Sequence, residues 1–157
     1  MTESESFMLE ALRLAREGMQ GNRGGPFGAV IVKQGQVIAR GQNRVTSDLD
    51  PTAHAEVVAI REACRVLGRF DLRGCEIYSS CEPCPMCLAS IYWARLDRLT
   101  YAGTREDAAG AGFDDAVLYS ELPKESHERT LPCQTMLRED AQQLFAEWNL
   151  KTDKVLY

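Results

Sequence analysis

The sequence is poor in histidine and in positive charge. Its 157 residues hold two histidines, His54 and His127, and 18 Lys and Arg against 23 Asp and Glu, for a net charge of −5. A protein that grips a phosphate backbone carries a basic face, so this balance argues against a folded nucleic acid as partner. No apolar run approaches the ~18 residues of a membrane span. The stretch Met1–Ser6 is acidic and lacks the basic segment of a secretion signal, from which a cytoplasmic location is expected. Repeats and low-complexity tracts are also missing, so residues 1–157 are expected to form a single domain with a buried core. In a reducing compartment the six cysteines read as ligands or core filler, not disulfides.

The chain alternates helical and strand-like patterns. Thr2-x-x-Glu5 forms a capping box before a helix whose apolar stripe is Phe7, Met8, Ala11, Leu12, Ala15 and Met19, ended by Gly18 and Gly21. Ala29 to Lys33 and Gln36 to Gly41 form a hairpin about Gln34-Gly35. Asp50-Pro51 predicts a helix start, with the helix over Thr52 to Leu67 and Val57, Ile60, Cys64 and Leu67 facing the core. A third strand spans Cys75 to Ser79, and a helix opened by Pro83 or Pro85 carries Leu88, Ile91, Tyr92 and Ala94. A fourth strand covers Leu96 to Ala102, Thr104 to Pro132 is less regular, and a last helix covers Glu139 to Leu150. The order β-β-α-β-α-β implies an α/β architecture, a mixed sheet covered by helices.

Chemistry concentrates in Cys84-x-x-Cys87, preceded by Pro83. Two thiols three residues apart in one helical turn can share an ion. The nitrogen ligand comes from upstream, in His54-Ala55-Glu56. His54 and Glu56 in mid-helix would diverge by roughly 200°. They converge only on a target above the helix N-terminus, toward which helical side chains lean. Two helix N-termini aimed at one ion favour thiolates. His54, Cys84 and Cys87 are three protein ligands for zinc, and a fourth position left to water marks a catalytic site; Glu56 beside it fits a proton carrier. A structural site would need a fourth ligand, from Cys81, Cys75, Cys133 or His127.

His-x-Glu followed by Pro-Cys-x-x-Cys is the signature of zinc-dependent nucleobase deaminases. The chain resembles, over nearly its whole length, bacterial guanine deaminases of the cytidine-deaminase superfamily. The matching stretches are Gly25-Pro26-Phe27-Gly28-Ala29-Val30, Asp50 to Glu56, Cys81 to Cys87, Ile91 to Arg95 and Ala111-Gly112-Phe113-Asp114-Asp115. The resemblance implies a three-layer α/β/α fold and one zinc per subunit on His54, Cys84 and Cys87, with Glu56 shuttling protons. It implies Asp115 as a second acid near the departing amine, Asn43 and the Ala55 backbone as hydrogen-bonding groups for the purine, and Phe27 and Trp93 as walls. It also implies a homodimer in which the segment from about 139 to 157 is exchanged and Tyr157 closes the partner's pocket. The expected reaction is hydrolysis of guanine to xanthine and ammonia. The alternatives are a cytosine, aminotriazine or tRNA-adenosine deaminase, or a zinc-stabilised domain without catalysis.

Overall fold

Thr2 starts the first helix as its sequence predicts. Its hydroxyl accepts from the Glu5 N–H, the Glu5 carboxylate accepts from the Thr2 N–H, and α1 runs Glu3–Gln20. The computed structural model describes residues 1–157. The buried face of α1 is Ala11, Leu14, Ala15 and Gly18, whereas Leu12 and Met19 of the expected stripe are exposed. Small residues explain the rotation. A Cβ on Gly28 would lie 2.2 Å from the Ala11 carbonyl oxygen, so backbone meets backbone there and long side chains are turned outward.

The hairpin forms from β1 (Gly28–Lys33) and β2 (Gln36–Gln42), each strand one residue longer than expected. Gln34 and Gly35 both have positive φ, 50° and 75°, as a twisted two-residue turn requires. With β3 (Cys75–Cys81) and β4 (Arg98–Gly103) they make a sheet of order β2-β1-β3-β4. β1 is antiparallel to β2 and β3, and β3 is parallel to β4, so the sheet is mixed as expected. Alternation along the strands sends side chains to two cores. Ala29, Ile31, Ala39 and Ile77 pack with α2 (Ala55–Leu67) and α3 (Pro85–Trp93), while Val30, Val32 and Tyr78 pack with Leu14 of α1. This is the three-layer α/β/α arrangement.

The helix predicted from Thr52 begins at Ala55 instead. Asp50 does act as a local cap, but of a turn: its carboxylate accepts from the Thr52 N–H at 2.8 Å and the Thr52 hydroxyl at 2.7 Å. The Ala53 N–H then bonds the Asp50 carbonyl, and His54 becomes the residue before the helix. Gly41 fixes where α2 rests on the sheet, since a Cβ there would lie 2.0 Å from the Ala55 carbonyl oxygen. The innermost residues of α2 are accordingly Ala55, Ala59 and Ala63, beside buried Val57, with Ile60, Cys64 and Leu67 half-buried at the margin.

The chain divides into two compact units, 1–115 and 116–157. The region expected to be irregular contains two short helices, α4 (Arg105–Gly110) and α5 (Ala116–Glu121). Thr104 and Asp107 form a second capping box that starts α4, a signal present in the sequence. In the second unit α5 is followed by a single 3-10 turn at Ser126–Glu128 and by α6 (Arg138–Leu150), one residue longer than predicted. Neither α5 nor α6 has a buried residue; Leu144, Phe145 and Leu150 of α6 are all exposed. No helix is long and apolar enough to cross a membrane.

Candidate metal centre

His54 is the cap residue of α2, and Cys84 is the cap residue of α3, whose first helical position is Pro85. Cys87 lies in the first turn of α3 and is fully buried. One ligand atom from each of the three lies within 4.8 Å of the others. The His54 Nδ1 is 3.5 Å from the Cys84 Sγ and 3.4 Å from the Cys87 Sγ, so Nδ1 is the nitrogen turned to the thiols. Because His54 stands before the helix, it escapes the angular divergence that separates residues two apart within one.

The electrostatics suit a thiophilic cation. Hydrogen bonds from Cys87 and His54 hold the Cys84 thiol down to about 4, against the burial that opposes them. Donation to Cys84, together with burial, pushes the Cys87 thiol up. The hydrogen bond to Cys84 raises His54, with burial acting the other way. A thiolate, a second thiol and an imidazole at two helix starts form a donor set of the N/S type that zinc prefers. No fourth His, Cys, Asp or Glu joins the group. Cys81 donates to the Thr104 carbonyl at 3.6 Å, Cys75 is a core residue, and Cys133 and His127 belong to the second unit.

Glu56, in the first turn of α2, is 6% exposed, and burial raises its carboxyl above the usual range. It faces the Cys87 thiol and accepts a hydrogen bond from the Ser79 hydroxyl at 3.2 Å. Ala55 opens α2, so its N–H is one of the donors that a helix start leaves without an intrahelical carbonyl.

A second group surrounds Asn43, which is also 6% exposed. Its Oδ1 accepts from the Gly25 and Val45 N–H groups, both at 3.2 Å, and its own N–H bonds the Phe27 carbonyl at 3.0 Å. Two donors on Oδ1 fix the amide orientation and leave the NH₂ as the group offered to a ligand. Phe27 meets Phe113 edge to face, with centroids 4.9 Å apart. Asp115 is half-buried, and its Oδ1 is 3.8 Å from the Arg105 Nε. The Arg105 N–H in turn bonds the Glu82 carboxylate at 3.1 Å, joining the acid's partner to the turn that leads into Cys84. Trp93 closes α3 and Tyr157 ends the chain, both with exposed side chains.

Ser79 and Arg105 join the site without belonging to any of the motifs, and Phe113, part of the Ala111–Asp115 stretch, gains its contact with Phe27. A Ser79-Ser80 pair in an otherwise buried strand was a signal of polar work, but its target depends on which helix crosses that face. Phe113 and Arg105 acquire meaning only from partners 86 and 10 positions away, Phe27 and Asp115.

Residues 1–103 match the cytidine and deoxycytidylate deaminase zinc-binding region. The chain is 52% identical over 153 residues to a guanine deaminase of Bacillus subtilis, covering 98% of each chain. A crystal structure of guanine deaminase from that organism superposes with a TM-score of 0.95 over 98% of each chain. A tRNA-specific adenosine deaminase of Agrobacterium fabrum is 41% identical over 127 residues, 81% of this chain and 82% of its own. A guanine deaminase structure from Nitrosomonas europaea is 34% identical with a TM-score of 0.67, over 71% of this chain and 64% of that one.

Proposed function

This chain belongs to the cytidine and deoxycytidylate deaminase family, and from that membership and the geometry above we infer that it hydrolyses guanine to xanthine and ammonia. The observation that carries the substrate is the match of 52% over 98% of both chains to a guanine deaminase. Zinc held by His54, Cys84 and Cys87 supplies, when bound, an activated water near neutral pH.

The chain's own residues supply the remainder. Glu56 takes the proton of the attacking water and carries it to a purine ring nitrogen, which makes the carbon bearing the amine, C2, electrophilic. Its burial suits that task, since a carboxyl raised above its usual range both accepts and returns a proton readily. Ammonia leaves only as a protonated amine, and Asp115, oriented by Arg105, is the second acid for that step. Asn43 donates from its NH₂ to an acceptor on the purine edge, the Ala55 N–H adds a second donor, and Phe27 packs against the flat ring. Trp93 adds a further apolar wall.

The protein acts as a cytoplasmic homodimer without nucleic acid. The support for a dimer is α6, an exposed helix bearing Leu144, Phe145 and Leu150, followed by exposed Val155, Leu156 and Tyr157. A second copy that exchanges residues 139–157 covers such a face and brings its Tyr157 to this chain's pocket.

The test is ammonia release from guanine, cytosine, adenine and a small aminotriazine side by side. Guanine is expected to give the highest kcat/KM by about tenfold or more, the order of one buried hydrogen bond left unmade. A clear preference for cytosine overturns the substrate reading and leaves the metal centre standing.

Asn43→Asp probes purine recognition. The carboxylate keeps an acceptor for Gly25 and Val45 but loses the NH₂ donor. The expected outcome is a rise in KM or fall in kcat/KM of about 10²-fold or more, with zinc content unchanged.

A further inference from the structure

We propose that Ser79 is a positioning residue for the proton carrier, its hydroxyl holding one oxygen of the Glu56 carboxylate and leaving the other for proton transfer. The proposal rests on the reading of Glu56 as that carrier.

Ser79 sits where the fold is most rigid. Its strand, β3, is paired on both sides, and Ser79 itself stands opposite Ala29 of β1 and Tyr101 of β4. Alternation along β3 puts Cys75, Ile77 and Ser79 on one face, the face that packs against α2. Cys75 and Ile77 fill that face with apolar atoms, and Ser79, 2% exposed, is the one hydroxyl among the three. A buried hydroxyl requires a partner, and the Ser79 Oγ donates to the Glu56 Oε1 at 3.2 Å. The contact spans 23 residues of sequence and ties the first turn of α2 to the centre of the sheet.

The need for such a tie follows from the side chain. Glu56 has three rotatable bonds, and proton transfer demands one placement of its oxygens at hydrogen-bond reach of the donor. The thiol of Cys87 faces the carboxylate from one side, and Ser79 fixes it from the sheet. Neighbouring Ser80 has a different task. Its Oγ accepts from the Gly28 N–H at 3.0 Å and serves the backbone, so the two serines divide structural and site duties.

Ser79→Ala, Ser79→Thr, Glu56→Gln and the Ser79→Ala/Glu56→Gln double variant test the proposal. Ser79→Ala is expected to lower kcat for guanine about 10- to 100-fold, the effect of losing one hydrogen bond to a charged group. KM stays within about threefold and zinc within about 10% of one per chain, since neither substrate contacts nor ligands are touched. Ser79→Thr keeps the hydroxyl and recovers most of kcat. In the Glu56→Gln background, removing the Ser79 hydroxyl costs less than about twofold, because its only route to the reaction is gone. Near-wild-type kcat in Ser79→Ala overturns the proposal while leaving Glu56 in its role. A loss of zinc in step with kcat, or full additivity in the double variant, overturns it by assigning Ser79 to the scaffold. Near-normal turnover of Glu56→Gln overturns both the carrier and its positioning.

Discussion

Replacing Glu56 with glutamine is expected to lower kcat for guanine by about 10²- to 10⁴-fold, the span of general acid-base catalysis, with zinc and fold retained. Glutamine has the size of glutamate, and its carbonyl oxygen still accepts from Ser79, so the geometry of the pocket is preserved. What disappears is a group that can take and return a proton. Stability should not suffer. Burial raises the Glu56 carboxyl in the folded chain, so folding favours its protonated form; that contribution is complete below the unfolded value and lost as pH rises through the folded one. A neutral amide has no ionised form to desolvate, so it carries none of that burial penalty. The checks are steady-state kinetics, zinc analysis and a thermal midpoint no lower than wild type. A zinc-stabilised domain without catalysis has no use for this carboxylate, so turnover within about threefold of wild type would decide for that rival.

Cys84→Ala carries the second large effect, a loss of activity of at least about 10⁴-fold together with loss of the ion. Cys84 is the most acidic of the two thiols, held at about 4 by Cys87 and His54, and removing it leaves one nitrogen and one thiol. Zinc per chain after dialysis against a mild chelator should fall from near one to below about 0.1, since two protein ligands hold zinc poorly. The thermal midpoint should also fall below that of the zinc-loaded wild type, because an ion bound only by the folded chain adds about 4 kcal/mol at a thousandfold excess over its dissociation constant. A Cys84→Ala protein that keeps one zinc and turns over guanine would sink the assignment of the centre. The two variants separate the roles: one keeps the metal and loses the chemistry, the other loses both.

The metal centre was legible because its residue types are rare and its spacings short. Two histidines in 157 residues, with one of them two positions from a glutamate and upstream of Pro-Cys-x-x-Cys, leave few arrangements. The start of α2 was misplaced because Asp50-Pro51 carries the same chemistry for a turn as for a helix, and only the Gly41 contact with Ala55 selects the later start. The buried face of α1 was misjudged because hydrophobicity favours Leu12 and Met19, whereas a close approach to β1 demands Ala11, Ala15 and Gly18. Ser79 was invisible for a different reason: its meaning lies in a strand register and in the helix crossing it, neither of which is local. The substrate came from resemblance over the full length, not from the Cys84-x-x-Cys87 stretch.

His54 and Cys84 hold the positions at which helices usually carry a serine, threonine or aspartate, and neither makes a capping hydrogen bond. Their side chains are committed to a ligand instead, so the opening turns of α2 and α3 are prone to fray when that ligand departs. The two positions lie 30 residues apart, and the intervening chain contains all of α2 and all of β3. An ion joining them therefore closes a long loop in the folded chain alone, and its binding free energy is added to that of folding. Metal affinity and the order of these two turns rise and fall together. A substitution that loosens either helix start, such as one at Gly41 against the Ala55 carbonyl, is thus felt as weaker zinc binding although it replaces no ligand.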